Sequence, residues 1–231
     1  MKQLLEGKVK TVFETDEKDK VLIKYEDRVT AFNGEHIEYP RDKGATCCMI
    51  SAFLFEKLER VGIKTHYIDL PTFNTMLCHK VNIVPVEVIC RNRAAGSIIE
   101  NTEGLREGQL FDPPIIEFFL KNDYKGDPLL TLDRVRLMGI DPEPFILRTT
   151  EINWELQKIF EKIGMDLIDF KLEFGYDERG GLYLAYEISP DSMRLWKTGT
   201  KERFDKDLFR KDEGDIVEAY KYILQNLLKS V

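Results

Sequence analysis

The sequence predicts an α+β fold, with a β-rich N-terminal lobe over residues 1–80 and a larger α+β lobe over residues 81–231. Three observations lead there. Short segments of alternating polar and apolar residues fill the first third of the chain. A long segment near residue 150 repeats its apolar residues at helical spacing. Two further strand-like segments flank a Gly-Gly turn at residues 180–181, as in a hairpin. Strands and helices mix in this way in α+β domains.

Taken in order, Val9–Phe13 and Val21–Tyr25 read as strands of a β-meander, separated by the charged turn Thr15–Lys20, and Asn33-Gly34 is a turn signal. A helix opens at Gly44 and runs to about Arg60. Ile50, Phe53, Leu54 and Leu58 lie on one face, and Gly62 stops it. Short strands follow at Lys64–Asp69 and Thr75–His79, then a longer one at Val84–Arg93. Asn101–Pro114 reads as a polar loop, Ile115–Lys121 as a strand and Asn122–Pro128 as a loop. Pro142–Gly164 is the clearest helix, with Phe145, Ile152, Leu156, Ile159 and Phe160 on one stripe. Strands Leu167–Gly175 and Leu182–Ile188 and a last helix, Ile216–Leu228, complete the chain.

A chain of 231 residues, 43% hydrophobic and 32% charged, can bury a core and reads as a soluble globular protein. No apolar run reaches the ~20 residues of a membrane span. The first residues lack the apolar stretch of a signal peptide, so a cytoplasmic location is expected. A net charge of −7 argues against a nucleic-acid partner. Cys47, Cys48, Cys78 and Cys90 form no CxxC pair and read as small buried residues in a reducing compartment. His36, His66 and His79 show no zinc-ligand spacing.

Two strands carry the chemical information. In LIDFKLEFG, side chains alternate faces, so Asp169, Lys171 and Glu173 project together, opposite Ile168, Phe170, Leu172 and Phe174. A solvated face could carry such a row, although Asp is depleted in strands. In VPVEVICRNRAAGS, Glu87, Ile89, Arg91 and Arg93 share a face. Near the start, Gly7-Lys8-Val9-Lys10 sets two cations beside a glycine that lets backbone approach a ligand, an arrangement suited to polyphosphate. It is not a Walker loop, which needs GxxxxGK[ST] opening a helix.

These segments, with PPIIEFFLKND, SPDSMRLW and DKDLFR in the same order, resemble the SAICAR synthetase (phosphoribosylaminoimidazole-succinocarboxamide synthase) family of purine biosynthesis. The resemblance implies two lobes with ATP in the cleft between them. It implies an ATP-dependent ligase that joins L-aspartate to 5-amino-1-(5-phosphoribosyl)imidazole-4-carboxylate (CAIR), forming SAICAR, ADP and phosphate. It also implies Mg²⁺ and a homodimer or higher homo-oligomer. Residue by residue, Gly7, Lys8, Lys10, Glu87 and Lys121 match positions that bind ATP. Arg91, Ser97 and Arg194 match the clamp for the ribotide 5′-phosphate, where a planar fork of donors suits phosphate oxygens. For Arg91, an ordinary salt bridge with Glu87 is the competing reading.

Asp169, Lys171 and Asp191 match the catalytic end around the imidazole carboxylate, with Lys171 expected to neutralise charge rather than act as a base. Glu173 and Glu187 match metal ligands, and Mg²⁺ favours hard carboxylate oxygens. The family usually has Asp-Glu where this chain has Tyr186-Glu187, so either Glu187, Asp191 or water substitutes in the metal's donor set or the metal is bound more weakly. Two other readings remain: a ligase for a related ribotide or another amino acid, and a non-catalytic nucleotide-binding module. Retention of Lys8, Lys10, Lys171, Glu173 and Arg194 together argues against the second.

Overall fold

The computed structural model describes residues 2–31 and 34–230, so the predicted Asn33-Gly34 turn rests on a residue, Asn33, outside the described residues. The chain opens with β1 (Gln3–Glu6), β2 (Lys10–Glu14) and β3 (Lys20–Tyr25). A small hairpin of β4 (Val29–Ala31) and β5 (His36–Glu38) follows. Helix α1 spans Lys43–Arg60, and β6 (Tyr67–Thr72) and β7 (Thr75–His79) close the first sheet in the order β1-β2-β3-β7-β6, every neighbour antiparallel. The sheet's alternating pattern is plainest in β3, where Val21, Ile23 and Tyr25 are buried.

The N-terminus of α1 is capped from outside. Asp27 accepts hydrogen bonds from the backbone N–H groups of Asp42 (3.0 Å) and Gly44 (2.8 Å), two of the donors a helix start leaves unpaired. Gly44 is required here, because a Cβ would lie 2.7 Å from the Tyr25 carbonyl oxygen. Helix α1 buries Ile50, Leu54, Phe55 and Leu58 and packs on both β3 and the C-terminal helix.

The second sheet begins at β8 (Asn82–Arg93). After the one-turn helix α2 (Ser97–Glu100) come β9 (Leu110–Leu120), β10 (Leu129–Leu130), α3 (Leu132–Leu137), α4 (Glu143–Lys162), β11 (Met165–Tyr176), β12 (Leu182–Ala185) and β13 (Met193–Lys197). The strand order is β10-β9-β8-β11-β12, with β13 also on β11. Strand β11 is therefore shared. One edge pairs with β8 from Asp169 to Tyr176. The other pairs with β13 over its first half and with β12 over its second, and Lys171 N–H donates to the Ser192 carbonyl (2.8 Å) at the changeover. Helix α4 covers the sheet with the predicted stripe, burying Phe145, Ile152, Leu156 and Phe160. An interlocked pair of buried amides, Asn92 and Asn153, joined by two hydrogen bonds of 2.8 and 2.9 Å, fixes α4 to β8. Helices α5 (Asp207–Arg210) and α6 (Ile216–Lys229) end the chain, α6 starting on an Asp215 cap and packing on α1.

Several boundaries differ from the sequence reading, each for a physical reason. The segment 101–114 is not all loop, because β9 starts at Leu110. Its prolines fall between Leu110, opposite Arg93, and Ile115, opposite Arg91, where the register slips and no ladder N–H is needed. The strand expected at Lys64–Asp69 runs instead over Tyr67–Thr72, because Thr65 bridges in parallel to Leu184 of the other sheet. His66 N–H donates to the Leu184 carbonyl (2.8 Å), so the two sheets are stitched together there. The strand expected at Leu182–Ile188 stops at Ala185, because Tyr186 takes a left-handed backbone, φ +69°. The four cysteines are buried and unpaired, and burial pushes the thiols of Cys48 and Cys90 up to about 12.

Candidate active site

The register of β8 against β11 builds the site. Asp169 stands opposite Arg91, Lys171 opposite Ile89 and Glu173 opposite Glu87. The period-two reading therefore places both charged rows on one face of one sheet. Glu87, Ile89, Arg91, Asp169 and Lys171 of these rows line a cleft of about 440 Å³, bounded on its other side by Lys8 and Val9, just before β2, and by Thr30 and Ala31 of β4. Arg93 leaves this row. The register slip beside it turns its guanidinium toward the Gly108 carbonyl (3.2 Å) and Asp166.

At one end of the cleft, Asp169 is the hub of an arginine pair. Its Oδ2 accepts from Arg194 Nη1 (2.8 Å) and Arg91 Nη1 (3.2 Å). Arg91 also donates through Nε to Glu117 (2.6 Å) and reaches Ser97 Oγ (3.4 Å). Arg194 donates through Nε to Asp207 (2.8 Å), which accepts from Arg210 as well (2.6 Å). Arg91, Ser97 and Arg194 thus converge as the clamp reading requires, and Arg91 pairs with Glu117 and Asp169 rather than with Glu87. Gly96, φ +64°, lies directly beneath: a Cβ there would sit 2.5 Å from Arg194 Nη2. Burial raises the Asp169 pKa against the pull of Arg194 and Arg91. Nearby Asp205 is pushed up to about 7 by burial and by Asp207, although it accepts the backbone N–H groups of Leu195 and Asp207.

At the other end the cations are lysines. Lys171 Nζ lies 2.6 Å from Glu87 and 3.6 Å from Glu173. Burial opposes its charge, but the carboxylates of Glu87 and Glu173 favour the ammonium and its pKa is raised. Lys121, just past β9, forms an ion pair with Glu173. Lys10 is buried and lies 2.6 Å from Glu187, whose other oxygen accepts from Ser189 (3.0 Å). Lys8 and Lys10 do not act as a side-by-side pair. Strand β2 starts only at Lys10, so strand alternation does not reach Lys8, which turns to Asp123 (2.5 Å). Gly7 N–H donates to the Lys10 carbonyl (2.8 Å), folding the segment back on itself.

Asp191 is anchored from behind. Lys43 forms a buried ion pair with one oxygen and Tyr220 donates to the other (2.9 Å). Burial works against the carboxylate, and Lys43 and Lys206 hold its pKa well below the usual range. Glu173 and Glu187, both buried, flank Tyr186 and offer hard oxygen donors. Among the described residues, no cluster of three His, Cys, Asp or Glu is placed to hold a metal unaided. A two-carboxylate set of this kind suits a divalent cation whose coordination nucleotide phosphates complete.

Sequence reasoning gave no role to Glu117, Lys43, Asp207 or Tyr220. Glu117 and Asp207 lie within segments that carried the resemblance, and that was the available signal. Lys43 lies in Asp42-Lys43-Gly44, which resembles a further family loop near the nucleotide or substrate, but its partner could not be read there, and Tyr220 gave no signal, because Asp191 is remote in sequence from both.

Comparison with known proteins places this architecture. The sequence model of the SAICAR synthetase family matches residues 3–227. A phosphoribosylaminoimidazole-succinocarboxamide synthase of Nostoc punctiforme is 44% identical, over 99% of this chain and 96% of its own length. The crystal structure of the Ehrlichia chaffeensis synthase is 37% identical and superposes with a TM-score of 0.95, covering 100% of this chain and 99% of that one. A SAICAR synthetase in complex with ADP is 38% identical, with a TM-score of 0.93 and 96% of each chain covered.

Proposed function

This chain belongs to the SAICAR synthetase family, and from that premise we propose how its cleft performs the family's reaction. It is an ATP-dependent ligase of purine biosynthesis that joins L-aspartate to CAIR, giving SAICAR, ADP and phosphate. The observation that carries the residue assignments is the polarity of β11. An arginine clamp surrounds Asp169 at one end and lysines surround Glu173 at the other. Four residues of strand separate the two by ~13 Å, enough to seat a ribotide phosphate and a nucleotide polyphosphate on either side of one reacting carboxylate.

In this reading Arg91, Ser97 and Arg194 hold the 5′-phosphate of CAIR. Lys8, Lys10, Lys121 and Lys171 neutralise the ATP phosphates, with the Gly7 turn and Glu87 shaping that end. The CAIR carboxylate oxygen attacks the γ-phosphorus, the bond to ADP breaks, and an acyl phosphate forms. The aspartate amine then attacks the carbonyl carbon, the C–O bond to phosphate breaks, and the amine proton leaves with phosphate or solvent. Lys171, whose ammonium is held charged, balances the negative charge that accumulates as these anions meet. Asp169 orients both arginines, and Asp191, held by Lys43 and Tyr220, shapes the reacting end. Glu173 and Glu187 would hold Mg²⁺, which when bound supplies further charge neutralisation at the phosphates. No histidine or cysteine nucleophile takes part.

The two lobes, 1–80 and 81–231, form the walls of the cleft, and the change of sheet between His79 and Asn82 supports that division. A cytoplasmic homodimer or larger homo-oligomer completes the proposal. It is motivated by the exposed Leu147 and Trp154 on α4, and light scattering tests it by giving the mass in solution. No helix among the described residues is long and apolar enough to cross a membrane. The test of function is ADP release with ATP, Mg²⁺, CAIR and L-aspartate present, each then omitted in turn. ADP and SAICAR formation that needs CAIR and aspartate together supports the reading. ADP release indifferent to aspartate refutes the amine step, and a different amino acid working better refutes the choice of aspartate.

A further inference from the structure

Tyr186 stands where β12 ends, in a left-handed backbone, φ +69°, that disfavours a bulky side chain. Such outliers persist where the surroundings over-determine them. The surroundings here are three ammonium groups. Lys10 Nζ lies 3.8 Å from the centre of the Tyr186 ring, Lys171 Nζ 5.2 Å and Lys121 Nζ 5.6 Å. They arrive from β2 in the first sheet, from β11 in the second and from the end of β9. A second ring, Tyr25, lies 4.8 Å from Lys10 Nζ. Each ammonium group also has a carboxylate partner, Glu187 for Lys10, Glu173 for Lys121 and Glu87 with Glu173 for Lys171, and the Tyr186 ring is the one group that all three share.

We propose that Tyr186 is a positioning residue for the nucleotide: its ring gathers the ammonium groups of Lys10, Lys121 and Lys171 into one polyphosphate-binding cluster that spans both sheets. The inference rests on the ligase reading of the cleft. An aromatic face attracts a cation without neutralising it. A carboxylate at this position would add one more ion-pair partner for these lysines to give up when a nucleotide binds, whereas the ring attracts all three without occupying an N–H donor. The flanking carboxylates, Glu173 and Glu187, stabilise the cluster while no ligand is present.

The test is ADP binding by calorimetry to the full-length protein, with EDTA present so that the lysines alone are read. Tyr186→Phe keeps the ring and is expected to bind ADP within about twofold of the unaltered protein, while Tyr186→Leu weakens binding by roughly tenfold or more. Tyr186→Asn separates ring from backbone, because Asn tolerates a left-handed backbone well. It is expected to bind ADP as poorly as the Leu variant, with a thermal unfolding midpoint no lower than that of the Leu variant. CAIR affinity, set at the opposite end of the cleft, stays unchanged in all three. ADP binding by the Asn or Leu variant at the unaltered strength overturns the proposal, as does a Phe variant as weak as Leu. If the unaltered protein binds no ADP at all, the nucleotide reading of the cleft falls as well, which distinguishes the two failures.

Discussion

Gly96→Ala adds one methyl group where the arginine clamp has no room for it. The new Cβ would lie 2.5 Å from Nη2 of Arg194 and 2.8 Å from its Cζ. An arginine tip can usually swing aside, but this one is tethered through Nη1 to Asp169 and through Nε to Asp207. To clear the methyl group it has to break at least one tether and lose its aim at the cleft. A charge-assisted hydrogen bond contributes about 1.5–3 kcal/mol. Under the proposed assignment of Arg194 to the ribotide phosphate, losing that bond raises KM for CAIR by roughly 10- to 150-fold. The backbone cost is separate. Alanine held at φ +64°, ψ −142°, a conformation all but confined to glycine, is disfavoured by about 1–3 kcal/mol, which lowers Tm by about 2–12 °C in a chain of this size. Steady-state kinetics with each substrate varied, together with a thermal melt, separates the two effects. A lower Tm with an unchanged KM for CAIR refutes the assignment of Arg194 to the phosphate. Equal rises in KM for CAIR and aspartate refute it as well. Unchanged values throughout would mean that Gly96 is not needed for space or for backbone freedom.

Three further outcomes are expected. Lys171→Met lowers kcat by roughly a hundredfold or more, while Glu173 keeps Lys121 and the protein stays folded; near-normal turnover removes Lys171 from the chemistry. Asn153→Ala strands the buried Asn92 amide and lowers stability by about 1–3 kcal/mol, read as a shift in the urea midpoint with every KM intact; altered KM values would mean that the amide pair also tunes the site. Asp205 binds its proton more readily in the folded chain, at about 7, than in the unfolded one. Its contribution is thus present in full below about pH 4 and is lost as pH rises toward 7. The fall in unfolding free energy over that window should be shallower in Asp205→Asn, and parallel profiles would refute the burial argument.

The sequence made the charged rows of β8 and β11 legible because strand alternation is local. Asp169, Lys171 and Glu173 share a face whatever else the chain does. The same rule failed at Lys8, which precedes the strand, and at Arg93, where β9 slips register. Helix α4 was legible from its stripe, but α3 and β13 were not. The first is only six residues long, and the second exists because β11 offers it an edge. Long-range partners left no trace in the sequence. Nothing near Asp191 announces Lys43 or Tyr220, and nothing near Arg91 sets Glu117 apart from any other surface acid. The family resemblance supplied the positions of the clamp, whereas the physical reason that Asp169 aims both arginines needed coordinates.

Strand β11 shares one edge between β13 and β12, and the connector from Tyr186 to Ser192 crosses the gap between them. That connector holds Tyr186, Glu187, Ser189 and Asp191, yet much of its backbone is fastened by side chains. Ser51 both donates to the Ile188 carbonyl and accepts its N–H, and Ser189 accepts from Asp191 N–H. The sheet on either side works as two abutments, and the connector as a span laid between them. Side chains on the span can be exchanged without unzipping a ladder. Chemistry at this point of the molecule is thus free to diverge while the architecture stays put, and an aromatic ring can occupy a place among carboxylates without disturbing the fold that carries it.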